Sequence, residues 1–258
     1  MLTLTLMEKV PKDKKTEAKY AVTQFLNSVI SGLNVTFRIS ELSEQGRLTI
    51  RAEGEDLEVF KNFLNENFGL APPNIEALKT NENLLSFVSP PDEDRNALVL
   101  DLGLPSSDYL CILTADSLKT TLANGKKISL NSLTDLFCLR EGFPLFVKIV
   151  NIDENMRTVN LELSSHQVSV FKDWILSLND RIMVVGATRR QLKNTFAKTG
   201  NLRDITEIER LGFFSHSVPC KLGLNPNTLI QNLKSHLSQI SIYHFDSRKI
   251  FEELGPYT

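Results

Sequence analysis

The sequence predicts an α+β protein in which a small central β-barrel is flanked by two ferredoxin-like α+β domains. Hydrophobic periods follow the order β-α-β-β-α near the start of the chain and β-α-β-β-α-β near its end. Between them, short strand patterns alternate with turn signals. The chain has 258 residues, of which 41% are hydrophobic and 23% charged, a globular balance with length for two or three small cores. The predicted boundaries are 1–80 and 165–258 for the ferredoxin-like domains and 83–164 for the barrel.

In the first domain Leu2, Leu4 and Leu6 alternate with Thr3 and Thr5, the period of a strand with one buried face. After Pro11, residues Ala18, Val22, Phe25, Leu26, Val29 and Ile30 recur at helical spacing until Gly32 supplies a stop. Val35, Phe37 and Ile39, then Leu48, Ile50 and Ala52, read as a hairpin turning near Gly46. Leu57, Phe60, Leu64 and Phe68 mark a second helix ending at Gly69, and the last strand of the unit is left open. A polar stretch from Pro72-Pro73 to about Glu82 reads as a linker.

Strand patterns follow at Leu84 to Ser89, Ala97 to Gly103, Phe143 to Ile152 and Thr158 to Leu163, with an insertion carrying short helical patterns. If these strands close into a barrel, Val99, Leu102, Val147, Ile149, Val159 and Leu161 are expected mostly to face its interior. From Ser165 a helix carries Val168, Phe171, Trp174, Ile175 and Leu178. The continuous apolar run Ile182 to Val185 suits a central strand. Thr188 with Gln191 three residues on is a capping box opening a helix that ends at Gly200. Two strands about Gly212, a helix after Pro226 and a strand with Ile240, Ile242 and Phe245 complete the order.

Composition excludes several classes. Lys and Arg number 29 against 31 Asp and Glu, so a net charge of −2 gives no global attraction to nucleic acid or anionic lipid, and any such attraction is local. No run approaches the ~20 apolar residues that cross a bilayer, and the opening residues form no apolar leader. Three cysteines, Cys111, Cys138 and Cys220, form no CxxC pair and point to a reducing, cytoplasmic setting.

Leu98-Val99-Leu100-Asp101-Leu102-Gly103 and the stretch from Gly142 to Ser164, in which a strand ending in Asp153 turns into one ending in Ser164, resemble the S1-type branch of the oligonucleotide-binding (OB) barrel. The resemblance covers under a third of the chain and implies nucleic-acid binding. S1 domains place stacking aromatics on the second and third strands; this second strand carries none, and Tyr109 is the nearby candidate. Leu202 to Ile205, Glu209 to Phe213 and Val218 to Gly223 resemble an archaeal family known as a domain of unknown function, number twenty-one-ten. That resemblance implies an archaeal, cytoplasmic origin and no known activity.

The strongest chemical signal is basic. Arg189, Arg190, Lys193, Lys198 and Arg203 occur within fifteen residues that contain no acid, and the first three open a helix, where free backbone N–H groups also favour phosphate. A solvated helix face is the plainer reading. Lys126, Lys127, Lys148 and Arg157 could extend the same track. Gly125-Lys126-Lys127 is no phosphate-binding P-loop, because Thr120 stands where the loop needs glycine. His166, His216, His236 and His244 lie far apart, Cys220 has no local base, and Asp92, Glu93 and Asp94 read as a solvated turn. The sequence therefore predicts no catalytic residue, metal cluster or cofactor. It predicts an RNA-binding protein of the ribosome or RNA-processing machinery that is not an enzyme. The alternative is a protein-interaction module in transcription or translation without direct RNA contact. An enzyme acting on a small molecule between the domains is a third reading.

Overall fold

The structure, a computed structural model, describes residues 1–10, 14–43, 45–92, 95–105 and 108–255, with only the backbone of Glu41. Pro11, Glu93 and Asp94 fall outside the described residues. The chain divides into two compact units. One holds Met1–Pro73 and Gly103–Pro105, the other Asn74–Leu102 and Ser106–Thr258.

In the first unit β1 (Leu2–Lys9), β2 (Val35–Leu42) and β3 (Arg47–Gly54) form a sheet in the order β1-β3-β2, with α1 (Lys15–Val29) and α2 (Leu57–Phe68). Both pairings are antiparallel. Leu48, Ile50 and Ala52 point into a core that receives Val22 and Leu26 from α1 and Phe60, Leu64 and Phe68 from α2. That is the alternation set against the helical stripe which the sequence shows. The open fourth strand is reduced to a bridge of Leu70 with Leu6, flanked by hydrogen bonds from Met7 N to Gly69 O (3.0 Å) and Ala71 N to Thr5 O (2.9 Å). It lies on the free edge of β1, the place a ferredoxin-like fold gives its last strand. Gly103 has φ +80°, and a Cβ there would come within 2.6 Å of the Met7 sulfur and 3.0 Å of the Ala71 Cβ. Glycine is required by this close approach.

In the second unit β4 (Asn83–Val88), β5 (Ala97–Asp101), β6 (Leu110–Thr114), β7 (Pro144–Asp153) and β8 (Thr158–Leu163) close into a barrel in the order β4-β5-β6-β8-β7. The β6·β8 pair is parallel and the others antiparallel. Counted from one, this is the circuit 1-2-3-5-4, the OB order, with α3 (Ala115–Ala123) and α4 (Leu130–Leu136) between the third and fourth strands. The expected β7·β8 pairing is present, from Val147 opposite Leu163 to Asp153 opposite Thr158. Leu102, Val147, Ile149, Val159 and Leu161 are buried as expected. Val99 is corrected: it is only half-buried, while Leu98 and Leu100 are buried. A strand alternates strictly, so Val99 has the opposite phase from Leu98, Leu100 and Leu102.

After the barrel come α5 (Ser165–Leu176), β9 (Arg181–Val185), α6 (Arg189–Lys198), β10 (Glu209–Arg210), β11 (Ser215–Pro219), α7 (Pro226–His236), β12 (Ser241–Phe245) and α8 (Ser247–Leu254). The sheet order is β10-β11-β9-β12, antiparallel throughout, which is the complete ferredoxin-like order. One face carries Ile182, Val184 and Val218 against Leu192 and Phe196 of α6 and Leu229 and Leu233 of α7. The opposite face carries Arg181, Met183, Ser217 and Phe245, and it too is buried. There Phe245 meets Phe137 and Trp174, Phe171 bridges the same two rings, and the position of a Cβ on Gly142 is 3.1 Å from Val185. The continuous apolar run of β9 thus reflects a strand covered on both faces. Leu178, expected on α5, lies beyond it with φ +53° and is 44% exposed.

Candidate nucleic-acid interface

The double covering decides which surface of the C-terminal sheet can meet a ligand. Four-stranded sheets of this topology that bind RNA stack bases on the open face. Here that face is closed by α5 and the Phe137 turn, which leaves the outer side of the helices and the sheet edge.

On that outer side α6 has the sequence RRQLKNTFAK, with four cations and no acid. Its start is fixed by the predicted capping box: Thr188 Oγ1 accepts from Gln191 N (3.3 Å) and Gln191 Oε1 accepts from Thr188 N (2.8 Å). Leu192, Thr195 and Phe196 are buried, so helical periodicity turns Arg189, Arg190, Lys193 and Lys198 outward, and all four are exposed. Arg189, Lys193 and Arg190 fall within about 100° of arc. None of the four has an ion-pair partner among the described residues. Arg203 is also exposed, 3.9 Å from Asp204, in the turn that follows α6.

The sheet adds one cation that sequence reasoning missed. Arg210 of β10 sits opposite His216 of β11, and its guanidinium lies 5.3 Å from the centre of the Phe213 ring. His216 is 1% exposed and has its pKa pushed down to about 4, first by burial and then by the positive charges of Arg210 and Arg189, against a hydrogen bond to the Ala187 backbone. One buried imidazole therefore feels both Arg189 and Arg210. Those arginines are 21 positions apart and no sequence spacing joins them; only the pairing of β10 with β11 does.

The second predicted group does not share this freedom. Lys148 Nζ is 3.1 Å from Glu162 on the neighbouring strand, and Arg157 Nη1 is 2.7 Å from Asp108. Tyr109 is half-buried at the start of β6, close in the chain to that second pair; Leu110 N donates to Arg157 O (2.9 Å). Lys126 and Lys127 are exposed in the α3–α4 turn, where Lys126 Nζ donates to Glu253 O of α8 (3.5 Å). The structure thus brings Arg189 of α6 and Arg210 to the same imidazole, and it sets Lys148 and Arg157 against carboxylates.

The expectation of no ligand cluster needs correction. Ligand atoms of Asp180, His244 and Asp246 lie within 4.8 Å of one another. The β9·β12 pairing brings them together across more than sixty positions. Two contacts account for the grouping: His244 Nε2 is 3.1 Å from Asp180 Oδ1, and Asp246 Oδ1 accepts from Lys249 N (2.9 Å) as the cap of α8. The three thiols are buried, which pushes Cys111 and Cys138 up to about 12 and Cys220 up to about 11. They stay protonated at neutral pH. Among the described residues no helix is long and apolar enough to cross a membrane.

Among solved structures the chain is similar to a complex of a/eIF2alpha, aDim2p and rRNA from Pyrococcus horikoshii OT3, at 13% identity over 48% of this chain and 64% of that one, with a TM-score of 0.26. It is similar also to a multidomain protein with nucleic acid binding domains from Streptococcus pneumoniae TIGR4, at 15% identity, with 70% and 57% covered and a TM-score of 0.21. The chain thus spans less than two thirds of either relative. No curated protein matches it. Residues 179–241, which hold β9 to α7 and every cation of the α6 cluster, match the DUF2110 C-terminal domain, so the resemblance read from Leu202 to Gly223 is to that family.

Proposed function

We propose that the protein binds RNA without chemistry of its own, holding the phosphate backbone on the exposed face of α6. The observation that carries this reading is the set of four outward cations, Arg189, Arg190, Lys193 and Lys198, with no carboxylate partner among the described residues. A cation already paired gains little by meeting phosphate, whereas an unpaired one releases counterions from the nucleic acid. Arg203 and Arg210 follow the helix in sequence and add two further exposed cations. The barrel supplies a scaffold of the OB order, and Tyr109, next to its third strand, is a candidate for stacking.

The test is a titration with single-stranded and hairpin RNA at two salt concentrations. Wild type binds at low salt and weakens steeply as salt rises. Changing Arg189, Arg190 and Lys193 together to Glu lowers affinity for every sequence and flattens the slope of log K against log salt by about 2 units, roughly 0.7 per phosphate contact. Tyr109→Ala costs on the order of 1 to 3 kcal/mol if a base stacks there. Absence of binding by wild type at low salt defeats the proposal. A protein partner then becomes the leading reading, and exposed Leu202, Leu222 and Leu224, on segments joined by the Lys221 N to Asp204 O hydrogen bond, are where it would dock.

A further inference from the structure

We infer that a pocket on the face of the C-terminal sheet opposite the basic helix takes one unstacked nucleobase. The pocket has a volume of about 370 Å³ and lies where β7, α5 and the β10 edge of the C-terminal sheet meet. Its size suits a single ring system. As an attachment for an RNA strand it rests on the reading above; as a site for the base alone it does not.

Three walls with different chemistry argue for a base. β7 contributes Phe146, 38% exposed, whose backbone N–H is held by Gln167 Oε1 of α5 (3.1 Å). The His166 ring stands edge-on to Phe146 at 5.5 Å. The two planes meet at 75°, so Phe146 offers a face and His166 stands across its edge as the corner of an aromatic wall. Trp174 lines the pocket from the buried side. The third wall is an acid and a base together: Arg181 Nη1 is bonded to Glu209 Oε2 (2.6 Å) and Ser217 Oγ (3.1 Å), and the guanidinium lies 5.0 Å over Trp174. The Arg181 side chain is only 8% exposed, yet its Nε has no hydrogen-bond partner. A buried donor without a protein acceptor is uncommon, and this one belongs to a guanidinium that lines the pocket. An acyl chain or aliphatic side chain would strand that acid–base wall. A nucleobase presents a π face to one of the two rings and an edge of donors and acceptors to Glu209 and Arg181.

The pocket is joined to the α6 surface by the two residues of β10. Strand alternation sends Arg210 to the face of His216, where Arg189 is also felt, and Glu209 to the face of Arg181. Arg210 also lines the pocket. A strand whose phosphates lie along α6 would reach the pocket by crossing the β10 edge at Arg210.

Trp174 is the only tryptophan of the sequence, so its emission reports occupancy directly. The whole protein is titrated with the four nucleoside 5′-monophosphates and, separately, with single-stranded oligoribonucleotides. Both are expected to change Trp174 emission. Phe146→Ala and His166→Ala are expected to abolish that change and to weaken oligonucleotide binding by about 5- to 150-fold, the equivalent of one lost stacked base, with the salt slope kept. Val170→Phe, which fills the space instead of emptying it, is expected to do the same, and circular dichroism of each variant shows the fold intact. The triple reversal on α6 is expected to spare the mononucleotide response. Oligonucleotide binding that leaves Trp174 emission unchanged and is equal in all pocket variants overturns the pocket while sparing the phosphate reading. A mononucleotide response without oligonucleotide binding upholds the pocket and defeats the phosphate reading. No response to either ligand defeats both.

Discussion

His216 shows how a single residue couples the basic surface to stability. Its pKa falls to about 4 in the folded chain, below the ordinary value of 6.5, chiefly through burial. The unfolded chain therefore binds the proton more readily, and stability present above pH 6.5 is lost as pH falls toward 4. Between pH 7 and pH 5 the loss from this residue is about 2 kcal/mol. Urea unfolding at the two pH values should show wild type losing that much more than His216→Leu, which cannot titrate. Equal losses would mean the imidazole is solvated or finds a charge partner. The same scale shows what a sequence hides. Val99 sits among Leu98, Leu100 and Leu102 in an apolar run, and nothing in such a run states which parity faces inward. Arg210 escaped notice because a lone arginine on a short strand has no spacing signature, only a neighbour across a ladder.

At the scale of elements, α6 is the part most fully written in the sequence. Its capping box, its buried Leu192 and Phe196 and its stop at Gly200, with φ +73°, are all local. Thr188→Ala should cost about 1 kcal/mol, since it removes the acceptor for Gln191 N, and thermal unfolding is the direct measure. RNA affinity should drop less than with the charge reversals, because the cations remain. Both β-α-β-β-α orders were legible for the same reason: each strand and helix has its own period and its own stop. α8 was not, because eight residues with only Ser247, Ile250 and Leu254 buried carry too few repeats to set a period. Nor was the Asp180, His244 and Asp246 grouping, nor the pocket. Each is assembled by pairings between segments far apart in the chain, β9 with β12 and β9 with β11, and no local pattern encodes which strands will be neighbours.

For the molecule as a whole, charge and packing are organised separately. A net charge of −2 coexists with a helix of four cations and no acid, so binding strength is set by where charge sits and not by its sum. Packing joins what sequence boundaries divide. The aromatic rings of Phe137, Phe171, Trp174 and Phe245 come from both sides of residue 165 and form one contiguous cluster. A fragment of residues 165–258 should therefore expose Trp174 and Phe245, bind hydrophobic dyes and aggregate, while one of residues 74–258 should remain monomeric and unfold in a single transition. Light scattering and calorimetry of the two fragments decide it, and a well-behaved 165–258 fragment would show that the cluster is dispensable.

The covering of the C-terminal sheet on both faces has a further consequence, for the timescale on which its backbone meets water. β9 has a hydrogen-bonded neighbour on each side and buried side chains above and below, whereas β10 is two residues at an edge. Amide protons of Ile182, Met183 and Val184 should exchange for deuterium only when the unit opens entirely, and those near β10 by local fraying. Ligand held at the pocket mouth would then slow exchange near Glu209 and Arg210 by tightening the edge, well beyond any change in the β9 amides.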